Sequence, residues 1–408
     1  MKCMRTLVLG GGAAGMAAAI AAARCGEDVV LVEKCDRVGR KLLATGNGRC
    51  NLMNMGELCY PGGEAFAEHV LARCGAAQQR VFWEQIGLRL RQEDNGRVYP
   101  ASGQAATVLD ALRLALTLHG VEVRVNCAAT ALRRQGGGFV VQTSAGSINA
   151  DRVIVTGGGK AQEKLGSDGS TYGLLTAMGH RLVTPFPALT QIVTDTTRLK
   201  GLSGVRIRTE ASITQGKREL TRQTGEALFT DYGVSGVCVL QTARYAQEAG
   251  CVLHLSLLAA MGIADKAELF TELASRRDAL EGQNADMLFT GLCVPRLALA
   301  VLHAAEVKPS LPIGALMDEA LTRLTELCAD FALPVLGVKG FDNAQVTAGG
   351  IATEDFDPAT LESRLTPCLH AAGEVLDVDG DCGGFNLMFA FGSGLLAGCG
   401  GKIEEVLS

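Results

Sequence analysis

The amino-acid sequence predicts an α/β fold built on a parallel sheet that is interrupted by a long insert. Three observations predict it. The chain opens with an apolar strand, a glycine turn, an alanine-rich helix and a second apolar strand, Thr6 to Glu33. Apolar strands that run into glycine recur at Arg152–Gly159 and at Leu369–Glu374. Between them, residues 186–345 turn to threonine-rich alternation and then to helical periodicity.

The first unit carries the chemistry. Gly10-x-Gly12-x-x-Gly15 follows Thr6-Leu7-Val8-Leu9 and opens the helix that begins Ala13-Ala14, and Glu33 ends the next strand. In such a βαβ unit the first glycine permits the tight turn, the second lets the backbone approach a pyrophosphate, and the third lets helix and strand pack closely. The helix N-terminus offers N–H groups and a positive dipole end to the phosphates. Glu33 suits the hydroxyls of an adenosine ribose and disfavours a 2′-phosphate, so FAD or NAD fits better than NADP. Among 51 glycines in 408 residues, about one G-x-G-x-x-G arises by chance, so the signal lies in the strand, helix and acid around it.

Next comes a basic, glycine-rich stretch, Lys34 to Asn51. Arg40 and Lys41 are placed to neutralise a pyrophosphate or the adjoining ribose. Gly46-Asn47-Gly48-Arg49-Cys50-Asn51 is a loop rich in amide and backbone donors, suited to edging a flavin ring. Residues 64–88 and Ser102–His119 read as helices, Gly96–Pro100 as an extended turn and Val121–Asn126 as a strand. Glycines at 136–138 and at 146 punctuate a β-meander, and Gly157-Gly158 return beside the first glycine turn. Within the insert, Thr190–Gln215 and Glu219–Phe229 suggest small β-structure, and Asp265–Leu302 and Thr322–Phe331 suggest helices.

The last segment repeats the theme. Gly373-Glu374 ends a strand, and Asp377, Asp379 and Asp381 lead to Gly383-Gly384-Phe385-Asn386-Leu387. A small-residue helix then spans Met388–Cys399. Here the acid can bind ribityl hydroxyls, and the helix N-terminus can stabilise negative charge on a reduced flavin. No glutamate stands twelfth from any of the aspartates, which argues against a calcium loop.

Composition bounds the rest. A length of 408 residues allows two or three domains. The net charge of −5 gives no electrostatic footprint for nucleic acid. No run of 18 apolar residues suggests a membrane span. Fourteen cysteines without a C-x-x-C pair fit buried thiols in a reducing, cytoplasmic setting, and no metal-ligand spacing stands out.

The motifs Gly39-Arg40-Lys41, Thr45–Asn51, Leu228–Gly236, Val346-Thr347-Ala348-Gly349-Gly350 and Gly373–Asn386, with the N-terminal fingerprint, resemble the BaiN/YhiN-type flavoproteins, an aminoacetone oxidase-like family. The likeness covers nearly the whole chain. It implies a discontinuous, glutathione-reductase-like Rossmann domain binding FAD, formed by residues 1–185 and 346–408. It also implies a β-barrel and helical substrate region at 186–345. Phe385 stands where an aromatic is usual. The activity implied is that of an FAD-dependent oxidoreductase carrying hydride on flavin N5, with NAD(P)H as a transient donor. Its expected substrate is an enone-type small molecule, a 3-oxo-4,6-diene of bile-acid type among them. The alternative is oxidation of an aminoacetone-type amine with release of hydrogen peroxide. Asn47, Arg49 and Asn51 are the groups expected beside the isoalloxazine, and Tyr99 and Tyr232 are candidate proton donors. Neither a nucleic-acid nor a membrane partner is expected, and the residues leave the oligomeric state open.

Overall fold

A computed structural model describes residues 4–408. Its chain divides into two compact units: one runs up to Pro187 and resumes at Gln345–Ser408, the other is Ala188–Ala344.

In the first unit, β1 (Arg5–Leu9), β2 (Asp28–Val32), β3 (Glu122–Arg124), β4 (Arg152–Val155) and β5 (Leu369–Ala371) form a wholly parallel sheet in the order β5-β4-β1-β2-β3. The central strands β1 and β4 are almost continuously apolar and buried, as strands covered on both faces must be. From β1 the chain winds outward through β2 to β3, then returns to the other side of β1 as β4. That reversal makes a topological switch point at the carboxyl ends of β1 and β4, where α/β sheets bind ligands.

Helix α1 (Ala13–Arg24) is buried from Ala14 to Ala22, which explains its lack of large or polar side chains. The C-terminal helix α2 (Phe385–Gly398) lies against it. A Cβ on Gly394 would meet the Ala14 carbonyl at 2.4 Å, and one on Gly398 would meet the Ala18 carbonyl at 2.4 Å. The pairing 394 to 14 and 398 to 18 means that the two helices run parallel, so both N-termini lie at one end. A separate three-stranded meander spans Ala129–Gln135, Gly138–Thr143 and Gly146–Ala150.

The second unit is a closed antiparallel barrel. Its strands, in spatial order, are Ile192–Thr194, Gly233–Ser235, Arg218–Phe229, Arg206–Gln215, Cys251–Ser256 and Phe331–Val338, the last pairing back onto the first. Helices Lys266–Ala279, Pro295–Ala304 and Asp318–Ala329 belong to the same unit.

Several local expectations shift. The stretch 64–88 is two helices, Glu64–Arg73 and Ala76–Gln85, because Cys74 and Gly75 leave helical dihedrals. The next helix starts at Ala105, since Ser102 Oγ takes the Gln104 N–H in a turn and delays it. Helix Asp318–Ala329 begins four residues earlier than the apolar pattern suggests, with Asp318 and Glu319 in its first turn, where acids favour the dipole. Phe331, expected at the end of that helix, instead opens a barrel strand.

Candidate functional site

The switch point is held together by glycine and one threonine. A Cβ on Gly15 would lie 1.8 Å from the Gly10 carbonyl, so only glycine lets α1 start this close to β1. Thr156, just past β4, donates its hydroxyl to the carbonyls of Leu9 and Gly10 at 3.0 and 2.9 Å, locking the ends of β1 and β4. Gly12, in contrast, has no heavy atom within 4 Å of its Cβ position. The first hydrogen bond within α1 is from Met16 to Gly12, and no side chain caps the helix. The N–H groups of Ala13, Ala14 and Gly15 therefore have no partner within the helix, an arrangement that suits a pyrophosphate.

Glu33 leaves the end of β2 with its carboxylate between two backbone donors. Oε2 accepts the Gly11 N–H at 2.7 Å and Oε1 accepts the Cys35 N–H at 2.8 Å. Each oxygen keeps a lone pair for a hydroxyl. Beyond it opens a polar cleft of about 500 Å³ whose wall includes Lys34, Cys35, Arg40, Asn126, Lys164 and Asp168. Lys34 pairs with Asp168 and reaches Ser170 Oγ at 3.3 Å. Burial works to raise the Asp168 carboxyl, yet hydrogen bonds from Lys34 and Ser170 hold it below its ordinary range. Arg40 donates to the Lys164 carbonyl at 3.0 Å and stands 3.8 Å from Asp36.

Two charged candidates meet each other. Lys41 Nζ lies 2.7 Å from Glu374 Oε2, while Glu374 Oε1 accepts the Thr347 N–H at 2.8 Å. Expected at a pyrophosphate, Lys41 instead pairs with the C-terminal acid, each side chain being about a quarter exposed. Thr347 also accepts the N–H groups of Lys160 and Ala161 at 2.8 and 2.9 Å, tying down the segment that follows Gly157-Gly158. Sequence reasoning missed Thr347 as a site residue. Its only signal was its place in the Val346–Gly350 motif.

The loop from Gly46 to Asn51 turns through left-handed backbone at Gly46, Asn47, Gly48 and Cys50. Asn47 and Gly48 are exposed. Arg49 pairs with Glu93 at 2.5 Å and lies 4.0 Å over the Tyr99 ring, and the pairing raises its guanidinium above the usual range. Cys50 is buried, which pushes its thiol up to about 12 and leaves it an inert space-filler at neutral pH. Asn51 is only 9% exposed, and its Oδ1 is buried with no hydrogen-bond partner. An orphaned buried acceptor costs about 1–3 kcal/mol.

At the C-terminal motif, α2 also lacks a side-chain cap, and its first internal bond runs from Met388 to Gly384. The N–H groups of Phe385, Asn386 and Leu387 thus have no partner in the helix. Gly373 donates its N–H to Ser393 Oγ at 3.0 Å. Asp381 accepts the Cys59 thiol at 3.1 Å. The Asn386 side chain turns inward: it donates to the Gly380 carbonyl at 2.7 Å and accepts the Gly380 N–H at 2.9 Å, which closes the loop ahead of α2. Tyr60, also missed, donates its hydroxyl to the Phe385 carbonyl at 2.7 Å and meets the Phe385 ring edge-on. The other candidate acid, Tyr232, belongs to the barrel unit, where the Lys339 ammonium sits 4.0 Å above its ring. Among the described residues no cluster of histidine, cysteine and acid suits a metal ion.

A glycine turn into an uncapped helix, an acid that bridges Gly11 and Cys35, and a second uncapped helix N-terminus fit the class to which the chain belongs: a Rossmann-type FAD-dependent oxidoreductase. Comparison with known proteins is more specific. The family model described as the HI0933-like protein Rossmann domain matches residues 4–400, and the chain belongs to that family. The 3-dehydro-bile acid delta(4,6)-reductase of Clostridium scindens is 36% identical over 96% of this chain and 97% of its own. The ribosomal RNA dihydrouridine synthase of Escherichia coli K12 is 25% identical over 96% of each. Among solved structures, the open conformation of a flavocytochrome c3 fumarate reductase superposes with a TM-score of 0.49 and 18% identity, over all of this chain and 79% of that one.

Proposed function

We propose that this chain is an FAD-dependent reductase of a carbon–carbon double bond conjugated to a carbonyl, with 3-oxo-4-ene or 4,6-diene substrates of bile-acid type as its substrate class. The observation that carries this reading is the 36% identity to the bile-acid reductase along nearly the full length of both chains. The residues present fit the cofactor. The N–H groups of Ala13, Ala14 and Gly15 would hold the pyrophosphate across Gly10 and Gly12. Glu33 would hold the adenosine ribose, with Lys34 and Arg40 along the adjoining cleft. Lys41, Gly157-Gly158 and Gly373-Glu374 would line the middle of the dinucleotide. Asn47 to Asn51 and the Asp381–Leu387 segment would face the flavin.

When bound, FAD supplies hydride exchange at its N5. The chain's own task is to orient the enone, exclude water and supply the proton that saturation of the double bond requires. Tyr99, held beneath Arg49, is the hydroxyl of the first unit proposed for that proton. A nicotinamide dinucleotide is the proposed electron donor. A cytoplasmic setting accords with the free thiols of the described cysteines.

A second reading has a specific observation behind it, the similarity to the ribosomal RNA enzyme. The uracil C5–C6 bond is itself conjugated to a carbonyl, so the reaction type would be the same and only the substrate would differ. Lower identity and a net charge of −5 place it second. The test is anaerobic reduction of the purified protein's visible spectrum by NADH or NADPH, followed by a bile-acid enone, a uridine-containing RNA, or air. Bleaching followed by reoxidation with the enone supports the proposal. Reoxidation by RNA alone selects the second reading. Bleaching by small amines with rapid peroxide formation in air would overturn both in favour of an amine oxidase.

A further inference from the structure

The parallel sheet ends on β3 with an uncovered edge. Residues 122–124 stand beside residues 30–32 of β2, and the Arg124 carbonyl accepts the Glu33 N–H at 2.8 Å. The backbone groups of Glu122 and Arg124 therefore face β2, and those of Val123 and Val125 point away from it. Among the described residues no strand follows β3 in the sheet. Natural edges of this kind are blunted with lysine, proline or a bulge. This one carries valines instead. The helix that leads into it, Ala105–Leu118, is held to its start by a bond from the Val121 N–H to the Leu116 carbonyl at 3.0 Å. Leu114 and Leu118, one turn apart on that helix, are 57% and 74% exposed. With Val123 and Val125 they make the densest run of exposed large apolar side chains among the described residues.

Charge selects the occupant. Glu122 and Arg124 share one face of the strand, 2.7 Å apart, with side chains 53% and 38% exposed. Turned end for end, the order acid, valine, base is its own complement. We propose that β3 is a dimer edge, onto which a second copy of this chain adds its own β3 antiparallel about a twofold axis through Val123. The Val123 N–H then donates to the carbonyl of the partner's Val123, and the reverse. Val125 donates to the carbonyl of the partner's Val121, whose own N–H is already taken within its chain. Glu122 faces the partner's Arg124, and Arg124 faces the partner's Glu122. A slip of two residues either way would set acid against acid or base against base, so the charges fix the register. On the other face Val123 meets its own copy, and Leu118 at the end of the preceding helix adds apolar area. A strand this short makes a small interface, with a Kd on the order of micromolar.

The test is sedimentation velocity of the purified full-length protein over a range of concentrations, with charge-swapped variants. Wild type should pass from monomer to dimer as concentration rises. Glu122→Arg and Arg124→Glu each place like charges opposite one another, so each alone should weaken the dimer by at least about tenfold. Mixed, the two variants complement each other and should form a heterodimer. The double variant restores the pattern within one chain and should dimerise like wild type. Val123→Pro should be monomeric with little change in melting temperature, because the N–H it removes makes no bond inside the sheet and proline is tolerated on such an edge. A wild type that stays monomeric at about a hundred times the expected Kd overturns the proposal. So do single variants that dimerise as well as wild type, which would put the interface elsewhere. Failure of the mixture and of the double variant to dimerise, with both folded by their melting curves, overturns the antiparallel register.

Discussion

The two ends of the parallel sheet treat their polar groups in opposite ways, and helix α2 touches both. At the amino ends of the strands, Arg152 is buried against the C-terminus of α2. Its guanidinium donates to the carbonyls of Ala397 and Gly398, and it pairs with Glu27 at 2.7 Å. Glu27 in turn accepts the Thr6 hydroxyl. Nε alone of the guanidinium nitrogens finds no acceptor. A cation at a helix C-terminus also answers the dipole. At the carboxyl ends, the N-termini of α1 and α2 have no side-chain cap, and Asn51 Oδ1 has no partner. The first end is braced mainly by the chain's own groups, though Arg5 Nε, like Arg152 Nε, is buried there without a hydrogen bond. At the other end the two helices start without a side-chain cap, and that contrast supports the cofactor site proposed there.

The sharpest way to break the comparison is to open the closed end. Arg152→Ala should leave a buried Glu27 carboxylate and two helix carbonyls without their donor, costing about 3–5 kcal/mol of stability. Thermal or urea unfolding checks this, and a loss under about 1 kcal/mol would mean that water replaces the guanidinium freely. The same end should also govern acid sensitivity. Burial, with Arg152 adding to it, pushes the His370 imidazole down to about 3, while its hydrogen bond to the Thr360 carbonyl opposes the shift. The unfolded chain takes up this proton near pH 6.5, whereas the folded chain refuses it until about 3. The contribution is therefore whole above pH 6.5 and is lost as pH falls from there towards 3, amounting to a few kcal/mol. Melting curves between pH 7 and 4 should be flatter for His370→Gln than for wild type. Parallel slopes would remove His370 from the account.

How much of this was legible in the sequence depends on distance along the chain. The Gly10–Glu33 unit reads directly because its strand, turn, helix and acid are local and their spacing is the signal. The Arg152–Glu27 pair and the Gly373–Ser393 bond carry no such signal, since they follow from packing that only tertiary structure fixes. Lys41 and Glu374 were both singled out, yet not as partners, because 333 residues separate them. The break at Cys74-Gly75 was hidden for a different reason, since apolar residues continue at helical spacing across it. Asn386 shows the limit of composition: an amide in a glycine-rich loop looks like a ligand group, and here it bonds its own backbone.

At the open end, Glu33→Ala should leave the fold intact and weaken FAD retention. Loss of charge-assisted hydrogen bonds is worth about 1.5–3 kcal/mol, or ten- to a hundredfold in affinity. Flavin content and a titration of the apoprotein measure it. If the variant keeps its flavin and instead melts early, Glu33 serves to brace Gly11 and Cys35, and the open end is more closed than it looks.

The smallest effect is expected where the two behaviours meet. Lys41 and Glu374 lie at the open end, yet they already satisfy one another, with Thr347 completing the carboxylate. Both are about a quarter exposed, so the pair should add only about 0–1 kcal/mol to stability. Lys41→Met should thus hardly move the melting temperature of the apoprotein. It should, however, free Glu374 to present an uncompensated negative charge beside the dinucleotide, weakening FAD more than it weakens the fold. A melting temperature that drops by many degrees, with flavin affinity unchanged, would place this pair with Arg152 and Glu27 as part of the closed framework. The boundary between framework and site would then lie nearer to the glycine turn than the open N-termini suggest.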